Sequence, residues 1–189
     1  MEQVTAQGLR RSLRTLTMTS ATTGDMAGAH VHVFCSNDYL GLAHHPDVIE
    51  AFKGSGSGAS RLISGNRPAH QHLEERLSDL YGRPATLFSS GYHANLALMS
   101  TVLEGGDVVC SDALNHASII DGLRLSKAHR KVIPHANPEE IDETARMVVV
   151  EGLYSMDGDT LTLADYRGEH WLAVDEAHSF GVLTTTLST

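Results

Sequence analysis

Four groups of polar residues follow short apolar runs in this sequence, and their residue types could act together in one site. They are the SSGY segment at 89–92, His116, Glu151 with Ser155, and the segment DEAH at 175–178. A small-residue turn that opens a helix presents backbone N–H groups, which can bind a phosphate. An aspartate that ends an apolar strand, with a histidine three residues on, is unusual for a segment with only a structural role.

Each group taken alone also has a structural explanation. The serines could simply cap a helix, a single histidine is more often solvated or capping than functional, and the DGD at 157–159 is typical of a turn. The site hypothesis therefore depends on whether the fold brings the four groups to one edge of the molecule.

Alternating apolar strands and helices must position these groups. The pattern predicts an amphipathic helix over 3–18, a linker over 19–30, a helix that begins at Pro46, a glycine-rich loop over 54–66 and a helix over 68–82. Strands are expected at 31–34, 85–88, 107–110, 131–133, 147–150 and 171–174, with helices at 94–103, 118–126 and 138–144, the last capped by Asn137. This alternation predicts an α/β fold with a mostly parallel sheet flanked by helices. Ligands of such sheets bind at the carboxyl ends of the strands, which is where the four groups fall.

Composition argues against several function classes. The chain has 189 residues and a formal net charge of −9, which argues against a protein that follows a nucleic-acid backbone. Its two cysteines, Cys35 and Cys110, are too few for a disulfide scaffold and suit a reducing compartment. No apolar run approaches the ~20 residues that span a membrane. We therefore expect a soluble cytoplasmic protein that binds neither nucleic acid nor membrane.

Three motifs point to other functions but lack the context that those functions require. GSGSGA at 54–59 fits a loose dinucleotide fingerprint, but a helix rather than a strand precedes it. The histidine pairs at 30/32, 44/45 and 70/72 lie in unrelated segments, and no cysteine or carboxylate completes a metal-ligand spacing. No G-x-S-x-G elbow of a hydrolase occurs. We expect no metal, and a metal- or nucleotide-binding α/β domain remains an alternative.

Six segments in chain order resemble the pyridoxal 5′-phosphate (PLP)-dependent α-oxoamine synthases of the fold-type I aminotransferase superfamily. They are SNDYLGLAHHP (36–46), GSGASRLISGN (56–66), FSSGYHAN (88–95), SDALNHASIIDGLRLS (111–126), VVVEGLYSMDGD (148–159) and VDEAHSFGV (174–182). The resemblance implies a partial fold-type I large domain over 46–183, without the C-terminal small domain. It further implies an N-terminal helix or arm with a linker over 1–45 and a tail outside the family pattern over 184–189.

The resemblance implies PLP as the cofactor and gives the strand-end groups roles toward it. Gly91 and Tyr92 would hold the phosphate and the adjacent ring region, and His116 would stack on the pyridine ring. Asp175 would pair with the pyridinium nitrogen and keep it protonated, so that the ring acts as an electron sink. The expected catalytic residues are His116, Asp175 and His178.

Further contacts follow from the same resemblance. His178 would also contact the phenolic oxygen of the ring, and Ser155 would add a hydrogen bond to the cofactor. Glu151 and Asn37 would line the substrate site, and Arg10 would match the family's arginine for the acyl substrate. Because related enzymes share the site between subunits, a homodimer is the implied assembly.

Within the family, the SNDYLGL, GASRLISGN and DEAH variants are most similar to members that serve biotin synthesis. These members condense L-alanine with pimeloyl-CoA or pimeloyl-carrier protein and release carbon dioxide. Members that make 5-aminolevulinate or 2-amino-3-ketobutyrate are the alternatives inside the family.

The sequence departs from the family pattern at the Schiff-base lysine. It contains three lysines, Lys53, Lys127 and Lys131, and none stands at the matching position downstream of DEAH. We therefore expect a chain truncated before that lysine, which binds PLP without a covalent bond and is inactive as this piece. The alternative is a non-catalytic module that pairs with a full-length homologue.

Overall fold

The computed structural model describes residues 11–52 and 54–183, which form two compact units that divide between Gly56 and Ser57. The domain boundary predicted from the sequence lies eleven residues earlier, between 45 and 46. Over the described ranges, no helix combines the length and the apolar character needed to cross a bilayer.

The N-terminal unit contains a small antiparallel sheet of three strands in the order β1-β2-β3. The strands are β1 (Thr17–Met18), β2 (Thr23–Met26) and β3 (Ala29–His32). The turn at Ala27 and Gly28 has positive φ at both residues, 52° and 82°, which suits the right-handed twist of a two-residue hairpin. A 3₁₀ turn (Leu42–His44) and helix α1 (Pro46–Ala51) follow, and the helix begins at Pro46 as predicted.

Two predictions for this unit are wrong where the structure describes it. Residues 11–16 form no helix, and Thr17–Met18 is a strand, while residues 1–10 of the predicted helix lie outside the described residues. The predicted linker over 19–30 is mostly hairpin. β-branched threonines favour the extended backbone, and the Thr19 N–H donates to the Thr23 carbonyl at 2.9 Å, which closes the connection from β1 to β2.

The C-terminal unit is a four-stranded parallel sheet with helices, which confirms the predicted α/β fold. Its strands are β4 (Val108–Asp112), β5 (His129–Ile133), β6 (Ala145–Glu151) and β7 (Trp171–Asp175), in the order β5-β4-β6-β7. Its helices are α2 (Pro68–Tyr81), α3 (Gly91–Thr101) and α4 (Ala117–Leu125). Every strand pair runs parallel, so the carboxyl ends of all four strands lie on one edge.

The core lies on both faces of the sheet because successive β6 side chains point to opposite sides. Met147 and Val149 pack with residues of α3 and α4, including Met99 and Ile119. On the other face, Val148 and Val150 pack with Cys110, Ile133 and Tyr166. A continuous apolar run therefore becomes a strand covered on both sides, as the sequence predicts for a parallel sheet.

The predicted strand at 85–88 is not formed. The Ala85 N–H donates to the Ser78 hydroxyl at 3.0 Å, and the Leu87 N–H donates to Glu74 Oε1 at 2.8 Å. Glu74 also receives two hydrogen bonds from Arg61, at 2.7 and 2.8 Å, and this pairing lowers the pKa of Glu74 to about 2. Side chains from outside the sheet thus hold the backbone groups that a strand would use.

The helix predicted over 138–144 is also wrong, although its cap is confirmed. Only a 3₁₀ turn (Pro138–Glu140) forms, and the Asn137 side chain accepts from the Glu139 N–H at 3.2 Å. Asp142 then accepts from both the N–H and the hydroxyl of Thr144, which turns the chain into β6. A second 3₁₀ turn (Leu163–Tyr166) connects β6 to β7, so short turns make both of the later crossovers.

His135 ties two strand-end loops to the sheet. Its Nδ1 contacts the buried Asp112 carboxylate at the end of β4 at 2.9 Å, and its Nε2 contacts Asp159 in the loop after β6 at 2.5 Å. Burial opposes a charge on the imidazole, but the hydrogen bonds to Asp159 and Asp112 outweigh it and raise the pKa of His135. The same contact lowers the pKa of Asp159. The bridge is therefore strongest when His135 is protonated.

Replacing His135 with glutamine should destabilise the chain in a pH-dependent way. Because the folded-state pKa of His135 is raised, its stabilisation is complete below about pH 6.5 and fades as pH rises through the folded value. We expect His135→Gln to lose about 1–3 kcal/mol of unfolding free energy near pH 6 and much less near pH 9. Urea unfolding at both pH values measures this. His129→Gln, at an exposed position of β5, is the matched control, and an equal loss at both pH values would contradict the bridge.

Candidate functional site

A cavity of about 240 Å³ opens at the carboxyl edge of the sheet. It is lined by Leu114, Asn115, His116, Glu151, Tyr154, Ser155, Met156 and Asp157, which follow β4 and β6. Three residues predicted from the sequence, His116, Glu151 and Ser155, therefore share one wall. The cavity is large enough for a small organic ligand or part of one.

Glu151 supplies a carboxyl group with an unusual proton affinity. It is the last residue of β6, only 6% exposed, and its Oε1 accepts the backbone N–H of His116. Burial raises the pKa of Glu151, and the hydrogen bond from the His116 N–H lowers it. Together with the negative charges of Asp175 and Asp112, these effects bring the pKa to about 7. Near neutral pH this group exchanges a proton readily, which is the property of a general acid or base.

Asp175 and His116 belong to one hydrogen-bonded chain. The Asn95 amide nitrogen donates to Asp175 Oδ2 at 2.7 Å and to the Ser118 hydroxyl at 2.9 Å. The Ser118 hydroxyl in turn contacts His116 Nδ1 at 2.7 Å. The other oxygen of Asp175 accepts the Ala177 N–H at 2.9 Å. The carboxylate at the end of β7 and the imidazole after β4 are thus joined through two intervening side chains.

The N-terminus of α3 lies one helical turn from Asn95. The Ser90 hydroxyl caps the helix by accepting the His93 N–H at 3.2 Å, and the space where Gly91 would carry a side chain is open. The N–H groups of Gly91 and Tyr92 have no hydrogen-bond partner in the described part of the chain. Such an end attracts an anion.

Tyr92 is held by α4. Its hydroxyl donates to Asp121 Oδ2 at 2.6 Å, and Arg124 binds the other oxygen of Asp121 at 2.8 Å. This hydrogen bond raises the pKa of Tyr92 and lowers that of Asp121. The tyrosine ring is therefore fixed at the first turn of α3 with its hydroxyl turned to α4.

The structure brings most of the predicted site residues to one edge of the C-terminal unit. His178 is half-buried in the turn that follows Asp175. Asn37 is exposed in the N-terminal unit, and its place in the site stays a prediction. Arg10 lies outside the described residues. The roles given to all these residues toward a cofactor also stay predictions.

The two connecting residues, Asn95 and Ser118, were not predicted from the sequence as members of the site. Asn95 stands four residues after Gly91, a spacing that puts both on the same face of one helix. Ser118 stands two residues after His116, at the start of α4. These spacings could have identified both as neighbours of the site, but only the packing of α3 on α4 reveals which groups they join.

A search of known proteins finds relatives that match this architecture. The family model "aminotransferase class I and II" matches residues 29–188. The 8-amino-7-oxononanoate synthase of Janthinobacterium sp. is 43% identical, and the match covers 97% of this chain and 52% of that protein. The chain therefore spans about half the length of the curated relatives it matches.

Solved structures give the same picture. The serine palmitoyltransferase of Sphingomonas wittichii superposes with a TM-score of 0.81 at 32% identity, over 93% of this chain and 49% of that one. The 8-amino-7-oxononanoate synthase of Francisella tularensis superposes with a TM-score of 0.62 at 30% identity, over 76% and 44%. Other similar serine palmitoyltransferase structures were solved with PLP. With its family model matched over most of its length, the chain belongs to the aminotransferase class I and II family.

Proposed function

We propose that this chain forms the cofactor-binding part of an α-oxoamine synthase that makes 8-amino-7-oxononanoate. The proposed reaction condenses L-alanine with pimeloyl-CoA or pimeloyl-carrier protein and releases carbon dioxide, with PLP as cofactor. The observation that carries the proposal is the hydrogen-bonded chain from Asp175 to His116 beside the open N-terminus of α3. The identity to 8-amino-7-oxononanoate synthases over 97% of this chain supports the choice of substrates.

The donor set at the strand ends fits PLP. The N–H groups of Gly91 and Tyr92, which have no partner among the described residues, suit a phosphate. Asp175, whose two oxygens accept from Asn95 and Ala177, suits a protonated ring nitrogen, since a carboxylate oxygen accepts the hydrogen bond that such a nitrogen donates. When bound, PLP supplies the electron sink that stabilises negative charge on an amino-acid substrate.

The remaining site residues receive roles that follow from their positions. His116 would cover one ring face, and Ser155 and His178 would contact the cofactor from the loops after β6 and β7. Glu151 would hold or release a proton at its carboxyl oxygens beside the cavity, because the pKa of this group is near 7. Asn37 and Arg10 would contact the substrates from the N-terminal part of the chain.

The proposal extends to assembly and location. We propose a homodimer, because the glycine-rich segments of related enzymes reach a site shared between subunits. The two free cysteines, exposed Cys35 and buried Cys110, suit the reducing cytoplasm where such biosynthetic enzymes work. In this proposal residues 46–183 belong to the PLP-binding large domain, and residues 1–45 form an N-terminal arm that includes strands β1, β2 and β3.

Pyridoxamine 5′-phosphate tests the cofactor site, because it lacks the aldehyde that reacts with surface lysines. We expect saturable binding to the chain, and we expect Asp175→Asn to weaken it at least tenfold by removing a charge-assisted hydrogen bond. Equilibrium dialysis or ligand fluorescence measures both affinities. Asp79→Asn, which neutralises an exposed carboxylate on α2, should bind normally. Equal binding by wild type and Asp175→Asn would contradict the assignment of Asp175.

A second titration tests the proposed acyl substrate. We expect pimeloyl-CoA to bind the pyridoxamine-phosphate-loaded chain more tightly than succinyl-CoA, because an 8-amino-7-oxononanoate synthase must accommodate the longer acyl chain. Isothermal titration calorimetry with each thioester, and with CoA alone as control, measures the difference. Tighter binding of succinyl-CoA would favour a 5-aminolevulinate-forming enzyme instead.

Replacing Glu151 with glutamine should stabilise the chain at alkaline pH. Because the pKa of Glu151 is about 7 in the folded chain and about 4.3 in an unfolded one, folding stability falls as pH rises between these values. Glu151→Gln keeps the neutral form, and we expect a gain of about 1–3 kcal/mol near pH 8 and none near pH 4. Thermal unfolding measures it, with exposed Glu140→Gln as control. A loss of stability near pH 8 would show that the ionised carboxylate is favoured.

A further inference from the structure

Asn95 uses both hydrogens of its amide group inside the unit. One is donated to Asp175 Oδ2 at 2.7 Å and the other to the Ser118 hydroxyl oxygen at 2.9 Å. An amide nitrogen only donates and a carboxylate only accepts, so the amide orientation is determined by Asp175. The reversed amide would turn its carbonyl oxygen toward the carboxylate and repel it.

This orientation makes the Ser118 hydroxyl oxygen the acceptor of the Asn95 amide. Since the Ser118 oxygen accepts from Asn95, its own hydrogen is available for His116 Nδ1 at 2.7 Å. The Ser118 N–H also points to that nitrogen, at 3.2 Å. Two donors directed at Nδ1 make this atom an acceptor, so the ring hydrogen of neutral His116 lies on Nε2.

The packing around Asn95 keeps this geometry in place. Helices α3 and α4 approach closely at Gly122, where an added Cβ would lie 2.9 Å from the backbone carbonyl oxygen of Asn95. Ser118 is only 1% exposed. The Ala177 N–H holds the second Asp175 oxygen at 2.9 Å. Helix packing therefore holds Asn95 and Ser118 in place, and a backbone hydrogen bond holds Asp175.

We infer that Asn95 is a positioning residue, which orients the Asp175 carboxylate and, through the Ser118 hydroxyl, holds His116 in its Nε2–H tautomer. The consequence for the cofactor rests on the proposed function: Asp175 would meet the ring nitrogen in one orientation, and His116 would present a neutral ring face. Asn95 and Ser118 need not touch the cofactor to have this effect.

Nitrogen-15 NMR of the histidine rings tests the inference without any ligand. At about pH 8, where an ordinary imidazole is neutral, the shifts of the two ring nitrogens report the tautomer. We expect His116 to show a roughly tenfold excess of the Nε2–H form. Assignment by comparison with His116→Gln identifies its signals, and the other histidines provide internal references.

Variants separate the two parts of this hydrogen-bond network, the bond from Asn95 to Asp175 and the bond between Ser118 and His116. Ser118→Ala removes the hydroxyl donor and leaves the bond between Asn95 and Asp175. We therefore expect the excess of the Nε2–H tautomer of His116 to fall several-fold. Binding of pyridoxamine 5′-phosphate should weaken only slightly. Ser118→Thr restores a hydroxyl and should restore the excess. Asn95→Leu removes both bonds, and we expect a roughly tenfold weaker affinity for pyridoxamine 5′-phosphate in addition. Ser100→Ala, on the exposed side of α3, should change neither quantity.

The outcomes distinguish this inference from the proposed function. A wild-type His116 with its hydrogen on Nδ1, or a tautomer ratio unchanged in Ser118→Ala, would overturn the inference whatever the ligand does. If Asn95→Leu does not fold, Ser118→Ala and Ser118→Thr still decide. If wild type fails to bind pyridoxamine 5′-phosphate while the tautomer responds to Ser118→Ala, the inference stands and the proposed cofactor is wrong.

Discussion

The parallel register of β6 and β7 places Glu151 directly beside Asp175, and much of the site follows from this pairing of two acids. Burial is the main cause that raises the pKa of Glu151, and the negative charge of Asp175 on the neighbouring strand adds to it. Asp175 receives two donors, the Asn95 amide and the Ala177 N–H. Glu151 receives one, the His116 N–H, and is deeply buried, so the pKa of Glu151 rises to about 7. One backbone register thus brings together two acids that differ in burial and in hydrogen-bond partners.

The same edge of the sheet depends on tethers that hold its loops. His135 links Asp112 at the end of β4 to Asp159 in the loop after β6. Its ring also packs edge-on against the ring of Tyr154, with 4.5 Å between the ring centroids. Tyr154 and Ser155 belong to that loop and line the cavity. The His135 bridge, which does not line the cavity itself, therefore helps to position the loop after β6 that lines one side of the cavity. The crossovers that join these strands contain short 3₁₀ turns. Side-chain bridges such as the one at His135 therefore help to hold the loops in place.

Family membership and site geometry support the proposed function in different ways. The match to aminotransferase class I and II gives the architecture and the order of the segments. The geometry adds what a match of segments does not contain, namely that Asp175 and His116 are joined through Asn95 and Ser118. Because the chain spans about half the length of its curated relatives, the complete reaction belongs to the proposal rather than to the described residues.

Local patterns in the sequence determined which segments become the sheet and its helices. The apolar run at 147–150 became β6, Pro46 and Pro68 began helices, and Asn137 capped its turn, because these features act through neighbouring residues alone. The run at 85–88 has the same local character, yet only tertiary contacts with Ser78 and Glu74 decided against a strand. Likewise, the types and order of the site residues were readable, whereas the proton affinity of Glu151 and the role of Asn95 were not. The first depends mainly on the burial of Glu151 and the second on the packing of α4 against α3, and only the folded chain produces either.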